Sequence, residues 1–228
     1  MKIDEYWVGW IDILGYSDIM LSSASAKKEE LLKFQLEIVE GREEKYTQNE
    51  VLPGRALLSD TLIYYHKCNS KKLSIPPEIS IIHFAMNRFD KLLSRGFACR
   101  GSITKGKCYI KDGRAFGEGL AKASKLENST SLPRIIVDTK IIKNVKNNIE
   151  KWIDKSALQE IEGKYYLDSF GRSFAPKNGK SALEIRRESI DVCMKRIKEE
   201  ITINKNNPKV LGKWSHLQQY VQGHLNNL

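Results

Sequence analysis

The 228-residue sequence lacks the motifs of several large enzyme classes. It contains no Gly-x-x-x-x-Gly-Lys-Ser/Thr segment and no nucleophile elbow, which argues against a P-loop NTPase and an α/β-hydrolase. The four histidines, His66, His83, His216 and His224, show no spacing that builds a catalytic or zinc cluster. No internal repeat and no low-complexity segment is present.

Cysteine is scarce and unclustered: Cys68, Cys99, Cys108 and Cys193 form no CxxC pair. This usage indicates reduced thiols rather than a disulfide framework or a structural zinc site. No apolar run reaches the length needed to span a membrane, and the first residues lack a charged segment followed by an apolar one. We therefore expect a cytoplasmic protein that has no membrane partner.

The composition is that of a folded, basic protein. Hydrophobic residues make up 41% of the chain, enough for a substantial core in one domain or in one domain with a helical appendage. Lys and Arg outnumber Asp and Glu by 38 to 28, giving a formal charge of +10. This excess favours anionic partners such as nucleotides, RNA or DNA, although a solvated lysine-rich surface gives the same balance.

The segment from Val8 to Gly15 places one carboxylate, Asp12, inside an apolar run. The run predicts a central strand that is covered on both faces. An unpaired ionised carboxylate there is very costly, so Asp12 must be hydrogen-bonded, salt-bridged or bound to a metal. The residues after Gly15 are compatible with a helix, and a helix start beside a metal-binding Asp suits a polyphosphate.

A second carboxylate, Asp60, lies in the apolar stretch from Arg55 to His66. This stretch predicts two antiparallel strands with Asp60 near their junction. Neighbouring strands of one sheet would bring Asp12 and Asp60 together, as in sites where paired carboxylates hold two divalent ions. For either Asp alone, a hydrogen-bonded or capping role stays open.

The remaining pattern predicts an α+β fold with helices on one face of a mainly antiparallel sheet. A catalytic domain is predicted over residues 1–175, and a C-terminal helical extension over 176–228 that packs on it or on a dimer partner. Helices are expected over 27–46, 77–95, 118–127, 182–202 and the last twenty residues, and a mostly helical stretch over 141–161. Strands are expected over 97–106, 133–138 and 164–167, with a hairpin return over 107–113.

Four segments resemble the class III nucleotidyl cyclase family: Ile-Asp-Ile-Leu-Gly at 11–15, Leu-Ser-Asp at 58–60, Arg-Gly-Ser-Ile-Thr-Lys-Gly at 100–106 and Phe-Gly-Glu-Gly-Leu-Ala-Lys-Ala-Ser-Lys-Leu-Glu at 116–127. The resemblance covers roughly residues 6–140 and implies a palm-like, ferredoxin-type core. It implies that Asp12, Asp60 and the backbone at Ile13 hold two Mg²⁺ or Mn²⁺ ions. One ion lowers the pKa of the ribose 3′-hydroxyl and the other binds the triphosphate, so that the 3′-oxygen attacks the α-phosphorus and expels pyrophosphate.

The resemblance also implies residues that contact the substrate. The backbone of Ile13, Leu14, Gly15 and Tyr16 would contact metal and phosphate, with a role in the turn alone as the alternative for Gly15. Ser59 would either assist the metal site or only shape the hairpin. The Asn and Arg of purine cyclases correspond to Ala121 and Lys125 here. Lys125 is a candidate for phosphate or transition-state contact, with a solvated helix face as the alternative. Where adenylate cyclases carry a base-reading Lys this chain has Ala56, so Ala56 and the adjacent Arg55 are candidates for base specificity.

The combination of Arg-Gly-x-Ile-Thr-x-Gly at 100–106, Ala-x-x-Leu-Glu at 123–127 and Pro-Arg-Ile-Ile-Val at 133–137 is similar to the pyrimidine cyclases of bacterial Pycsar antiphage systems. This similarity implies conversion of UTP, or less favourably CTP, to the cyclic monophosphate, a separate effector protein that responds to the product, and a head-to-tail homodimer without a stable nucleic-acid partner. The alternatives are a purine cyclase, a related palm-type polymerase, and a catalytically silent palm-like module that binds nucleotides or RNA.

Two arginines are assigned structural roles. Arg100 precedes a glycine on a predicted strand, which favours an internal salt bridge. Arg134 is expected to pair with Glu127, with a phosphate contact as the alternative.

Overall fold

The computed structural model of the chain describes residues 3–23, 25–40, 53–69, 75–111, 114–172 and 179–227. Within these ranges one sheet contains eight strands: β1 Asp4–Ile13, β2 Gly54–Leu58, β3 Thr61–Lys67, β4 Cys99–Lys111, β5 Arg114–Gly117, β6 Ile135–Val137, β7 Leu158–Ile161 and β8 Lys164–Leu167. The helices are α1 Tyr16–Leu21, α2 Ser25–Glu40, α3 Pro77–Ser94, α4 Glu118–Glu127, α5 Ile142–Trp152, α6 Ala182–Ile203 and α7 Pro208–Leu225.

The strands lie in the order β2-β3-β1-β4-β6-β8-β7, and β5 pairs with β4. The pairings between these strands are antiparallel except that of β4 with β6, which is parallel. β1 therefore lies inside the sheet, hydrogen-bonded to β3 on one side and β4 on the other. The predicted α+β fold with a mainly antiparallel sheet is confirmed.

The two faces of the sheet are covered unequally, because alternate residues of a strand point to opposite faces. Ile11 and Ile13 of β1 belong to a large core that includes side chains of α2, α3, α5, α6 and α7. Val8 belongs to a smaller cluster, to which α4 contributes Leu120 and Ala123. Most described helices thus share one face, as predicted, while α4 covers part of the other face, the one to which Asp12 belongs by its even spacing from Val8.

Helix α3 forms the centre of the large core. Its first residue is Pro77, whose missing N–H would have no acceptor within the first turn in any case. Burying a large aliphatic or aromatic side chain stabilises the fold by roughly 1.5–3 kcal/mol, so this stripe contributes strongly to the stability of the domain. The buried residues predicted for it are Ile79, Ile82, Met86, Phe89, Leu92 and Leu93.

Two element predictions are wrong. The hairpin return expected over 107–113 begins later, because β4 continues unbroken to Lys111 and the return strand β5 starts at Arg114. Residues 158–161 are strand β7 and not helix. The turn that joins β7 to β8 contains Glu162 and Gly163, both with positive φ, which is the geometry of a two-residue hairpin. The helix expected to reach Tyr46 is described only as far as Glu40.

The C-terminal helices α6 and α7 are built into the large core. A capping box between Ser181 and Glu184 starts α6, and the side chain of Asn207 caps α7. Ile197 of α6 and Leu217 of α7 are fully buried in the same cluster as α3. The division of the chain into residues 1–175 and 176–228 stays a prediction. None of the described helices has the length and apolar composition needed to cross a membrane.

Candidate functional site

Asp12 lies near the end of β1, where the two neighbouring strands flank it with Thr61 of β3 and Arg100 of β4. The Thr61 hydroxyl donates to Asp12 Oδ1 over 3.5 Å, and Arg100 Nε lies 4.0 Å from Asp12 Oδ2. The Asp12 side chain retains 21% of its exposure. The carboxylate is therefore held in place by weak contacts and stays open to a ligand on the α4 face of the sheet.

Asp60 lies in the tight turn that joins β2 to β3, which confirms the predicted hairpin. Ser59 in this turn has a φ of 56°, a conformation that costs a non-glycine residue energy. The Asp60 carbonyl accepts from the Ile13 N–H over 3.2 Å, and the Ser59 carbonyl accepts from Gln35 Nε2 over 2.8 Å. These bonds tie the turn to the end of β1 and to α2, so that Asp60 lies beside Asp12.

The pKa of Asp12 shows how closely these groups interact. Burial, followed by the negative charges of Asp60 and Glu127, raises the pKa of Asp12 to about 6 against the opposing effect of Arg100. The pKa of Glu127 is also raised by burial, against the effect of Arg100. Three acids therefore share one nearby arginine, and this excess of negative charge favours a bound cation.

Helix α4 is held on β4 so that its C-terminal end reaches Arg100. The hydroxyl of Ser102 donates to the Ala123 carbonyl over 2.7 Å, and that of Thr104 donates to the Gly119 carbonyl over 3.2 Å. A Cβ atom on Gly106 would lie 2.7 Å from the Cα of Gly119, so only glycine permits this close approach. The Arg-Gly-Ser-Ile-Thr-Lys-Gly segment thus serves to dock α4.

Glu127, at the end of α4, forms an ion pair with Arg100, which confirms the internal salt bridge predicted for that arginine. The prediction that Glu127 pairs with Arg134 is wrong. Arg134 instead donates to Gln159 Oε1 over 3.0 Å and stacks on Tyr220, with its guanidinium carbon 4.2 Å from the ring centre. The motif at 116–127 includes Glu127 but does not by itself place this side chain in the site, because its position depends on how α4 docks.

At the end of β1, some backbone groups are already hydrogen-bonded within the chain and others are not. The N–H of Ile13 donates to Asp60, and the N–H of Leu14 donates to the Ala98 carbonyl over 2.9 Å. A metal contact by Ile13 or Leu14 therefore falls to their carbonyl oxygens, and neither N–H is free to donate to a phosphate. Gly15 has a φ of 76° and open space where a Cβ would stand, and Tyr16 begins α1.

The structure does not bring Arg55 to the other predicted residues. Arg55 Nη1 donates to the Ile38 carbonyl over 2.8 Å, and its guanidinium lies over the ring of Phe84, on the face of the large core. Ala56, the next residue of β2, pairs with Ile63 and packs against the small cluster on the face of Asp12. Of the two base-specificity candidates, only Ala56 shares the face of the site.

Lys125 is exposed on the side of α4 that points away from the sheet. Ala121, one turn earlier, is exposed on the same side. The two positions that correspond to the Asn and Arg of purine cyclases therefore face outward, available to a second molecule. The neighbouring Lys122 forms an ion pair with Glu118 over 2.7 Å.

The donors near Asp12 suit hard divalent cations. Asp12, Asp60 and the backbone carbonyl of Ile13 offer oxygen, which Mg²⁺ and Mn²⁺ prefer. Among the described residues, no three His, Cys, Asp or Glu side chains form a group that could hold a metal by themselves. Two carboxylates fit Mg²⁺ nonetheless, because this ion commonly takes one or two protein carboxylates and completes its shell with water and substrate phosphates.

A cleft of about 460 Å³ lies between the turn that follows β1 and the C-terminal helices, and neither Asp12 nor Asp60 is among its lining residues. Leu14, Gly15 and Ala98 form its wall next to the site, and Lys209 and Lys213 of α7 form the wall opposite. None of the sequence motifs includes a residue of α7. No local pattern could have placed its lysines there, since only the docking of α7 on the core brings them near.

Comparisons with known proteins were made on sequence and on structure. No protein-family model matches the chain, and no curated protein matches it. Solved structures with a similar fold include the adenylyl cyclase CyaB from P. aeruginosa, which is 13% identical with a TM-score of 0.43 and is matched over 79% of this chain and 98% of its own.

An adenylate/guanylate cyclase/hydrolase from Silicibacter pomeroyi is 11% identical with a TM-score of 0.46, over 73% of this chain and 96% of its own. The catalytic core of a rhodopsin-guanylyl cyclase with converted specificity, in complex with ATPαS, is 12% identical with a TM-score of 0.45, over 75% of this chain and 98% of its own.

Proposed function

We propose that the chain is a class III nucleotide cyclase that holds two divalent ions and converts UTP or CTP to the 3′,5′-cyclic monophosphate and pyrophosphate. The proposal rests on the pair of carboxylates that separate segments deliver to one spot, Asp12 from the end of β1 and Asp60 from the β2–β3 turn. Burial and the negative charges of Asp60 and Glu127 raise the pKa of Asp12 to about 6, and a carboxyl group perturbed in this way is typical of functional sites. A purely structural carboxylate would have stronger partners than the 3.5 Å and 4.0 Å contacts of Asp12.

The residues fit the two ions, which when bound would lower the pKa of the ribose 3′-hydroxyl and neutralise charge on the triphosphate. Asp12 and Asp60 would hold them, with the Ile13 carbonyl as a further ligand. In the reaction the 3′-oxygen bonds to the α-phosphorus, the bond from that phosphorus to the β-phosphate oxygen breaks, and the hydroxyl proton passes to solvent as pyrophosphate leaves.

Arg100, Thr61 and Glu127 would orient the site without touching the reacting atoms. Arg100 forms an ion pair with Glu127 and lies 4.0 Å from Asp12, so it limits the repulsion between the acids. Thr61 directs Asp12 through its hydroxyl. The positive charge of Arg100 would favour the ionised form of the nearby carboxylates. Because Arg100 already forms an ion pair with Glu127, it would not displace a divalent cation bound at Asp12.

A homodimer would complete the site. Lys125 is exposed on the outward side of α4, where a second molecule could receive it. In a head-to-tail pair, Lys125 of one protomer would stabilise the charge that develops on the phosphates bound by the partner. Lysine would act there as a point charge, because it lacks the planar fork of arginine.

The choice of a pyrimidine rests on the motif similarity given above and on the environment of Ala56. This small side chain lies on the same face as Asp12, at the position where adenylate cyclases carry a base-reading Lys, so it offers no donor to a purine ring. The cyclic product would act on a separate effector protein in antiphage defence.

A second candidate is a nucleic-acid-binding module without catalysis, which the formal charge of +10 favours. Such a module would not need Asp12 and Asp60, because unneutralised carboxylates repel a phosphate backbone. Its binding would weaken steeply with salt and would survive loss of both acids.

The test is incubation of the purified protein with each of the four NTPs and Mn²⁺, with the products identified by mass spectrometry, beside an Asp60→Ala control. We expect one cyclic pyrimidine monophosphate, absent in the control. A cyclic purine product would overturn the pyrimidine assignment and keep the cyclase. If no NTP reacts and RNA binding persists in Asp60→Ala, the binding module is correct instead.

A further inference from the structure

The cleft that follows β1 is lined by residues of the β1–α1 turn and of α7, a helix that nothing in the motifs connects with the site. Leu14 and Gly15, which line it, follow Asp12 by two and three residues. Its volume of about 460 Å³ falls in the range of small-molecule sites. A ligand held at Asp12 can therefore extend along α1 towards the N-terminal half of α7.

The three lysines that line the cleft differ in how they are neutralised. Lys27 Nζ lies 2.6 Å from Glu200 Oε1, and this carboxylate is almost completely buried, so Lys27 is committed to a structural ion pair. Lys209 and Lys213 form no ion pair with any residue that the structure describes. Two cations thus line the cleft without an acidic partner at contact distance.

Lys213 is partly buried, and the groups that act on it reach the catalytic site. Burial lowers its pKa, and the positive charges of Arg100 and Lys209 lower it further, against the opposing effect of Asp12 and Asp18. The potential around the ammonium is therefore positive although two acids lie within range. An anion in the cleft would relieve this repulsion.

The two lysines also cost helix stability. α7 has no acidic residue in its first turn, and Lys209 lies there instead, where the helix dipole disfavours positive charge. Lys213 follows four residues later, and like charges at this spacing repel by a few tenths of a kcal/mol. Selection for stability alone does not favour this arrangement, whereas an anionic ligand does.

The geometry points to α7 as part of the active site: we propose that Lys213, assisted by Lys209, binds the β- and γ-phosphates of the substrate and the pyrophosphate that they become. This inference rests on the proposed function, since it takes the ligand to be a nucleoside triphosphate held at Asp12. The substrate would then lie between the carboxylate pair and α7 of the same chain.

The docking of α7 supports this role, because the helix is fixed at its other end. Tyr220 donates to Asp168 Oδ1 over 2.7 Å, and His224 Nε2 lies 3.0 Å from the same atom. Trp214, next to Lys213, is buried in the core. Lys213 is therefore carried by an anchored element, which makes it a suitable fixed contact for a phosphate.

The test compares Lys213→Ala with Lys205→Ala, which removes the same charge from an exposed position in the turn before α7, outside the cleft lining. We expect Lys213→Ala to raise the KM for the triphosphate and the inhibition constant of inorganic pyrophosphate about tenfold each, the effect of one charge-assisted contact. Lys209→Ala should cause a smaller rise, Lys213→Arg should restore most of the loss, and Lys205→Ala should stay within about twofold of the wild type.

Unchanged values for Lys213→Ala in a folded protein would overturn the proposal and assign Lys213 to the charge balance of Asp12. If no NTP is turned over, the same variants are titrated with inorganic tripolyphosphate and Mn²⁺ by calorimetry. Binding by the wild type that Lys213→Ala loses would uphold the phosphate site without the cyclase, and absence of binding by the wild type would overturn it.

Discussion

Two aspartates, Asp12 and Asp168, lie at the C-terminal ends of strands, and they differ in burial and in hydrogen-bond partners. Asp168, directly after β8, is 1% exposed and accepts hydrogen bonds from Tyr220, from Gln159 and from the N–H groups of Phe170 and Gly171. Burial alone would raise the pKa of Asp168, but His224, Tyr220 and Arg134 hold it below its ordinary value.

Asp12, by contrast, has long contacts and acidic neighbours, and its pKa rises to about 6. The fold thus gives Asp168 the hydrogen bonds and positive charges that stabilise an ionised carboxylate, and it gives Asp12 few of them. The first anchors a helix, since Tyr220 and His224 both belong to α7. The second is, under the proposed function, completed by a bound cation.

The largest expected effect comes from breaking the unsatisfied site. Asp60→Asn keeps the size of the side chain and removes a metal ligand, so we expect cyclase activity to fall by on the order of 10³-fold or more. The initial rate of pyrophosphate release measures this, with circular dichroism as the control for folding. Activity within tenfold of the wild type would remove Asp60 from the metal site.

Asp168→Asn should have the opposite pattern, a loss of stability with little loss of activity. Loss of the charge weakens the bonds from Tyr220 and His224, so we expect the free energy of unfolding to fall by about 2–3 kcal/mol, measured by urea denaturation. The kcat of the folded protein should stay within about twofold of the wild type. A collapse of kcat without a loss of stability would mean that Asp168 belongs to the site.

Mixing variants would test whether the outward-facing Lys125 acts across a dimer. Asp12→Asn and Lys125→Ala should each be inactive alone. In a random mixture half of the dimers contain one of each, and each of these has one intact site, so about a quarter of the wild-type activity should return. No recovery between chains that exchange subunits would show that Lys125 serves its own chain or none.

The smallest effect concerns stability without metal. In a chelator, the folded protein holds a proton on Asp12 between pH about 4 and 6 that the unfolded chain has lost, since burial and acidic neighbours raise the pKa of Asp12 from 3.8 to about 6. The free energy of unfolding should therefore fall as pH rises through this window.

Asp12→Asn should reduce this pH dependence, leaving the part due to Asp90 and Glu127, whose pKa values burial also raises. It should be more stable than the wild type at pH 7.5 by about 1 kcal/mol, a value reduced from the full shift because the side chain is partly solvated. Urea denaturation at three pH values in EDTA gives the comparison. An Asp12→Asn protein less stable than the wild type at pH 7.5 would show that the fold depends on that charge, as it does on Asp168.

The predictable part of the site was the part that local pattern determines. The apolar run around Asp12 and the two short strands around Asp60 specify a strand and a hairpin, and a shared sheet then brings the acids together. The face of Arg55 was not predictable, because side chains alternate along a strand and a shift of one residue exchanges Arg55 with Ala56.

The positions of Glu127 and Lys213 depend on how α4 and α7 dock, which no single segment encodes. Glu127 reaches Arg100 only because Gly106 and Gly119 permit close packing of α4 on β4. The predicted pairing of Arg134 with Glu127 was wrong for the same reason. Arg134 stacks instead on Tyr220, which belongs to a helix far along the chain.

The central claim is that Asp12 and Asp60 form a cation site that the nucleotide completes. Mn²⁺ binding should therefore be measured by electron paramagnetic resonance on the wild type, Asp12→Asn and Asp60→Asn, with and without a UTP analogue that has a methylene group between the α- and β-phosphates. We predict that Mn²⁺ binds tightly only to the wild type and only with the analogue present. Equal binding by the wild type without the analogue, or by either variant with it, would contradict the account.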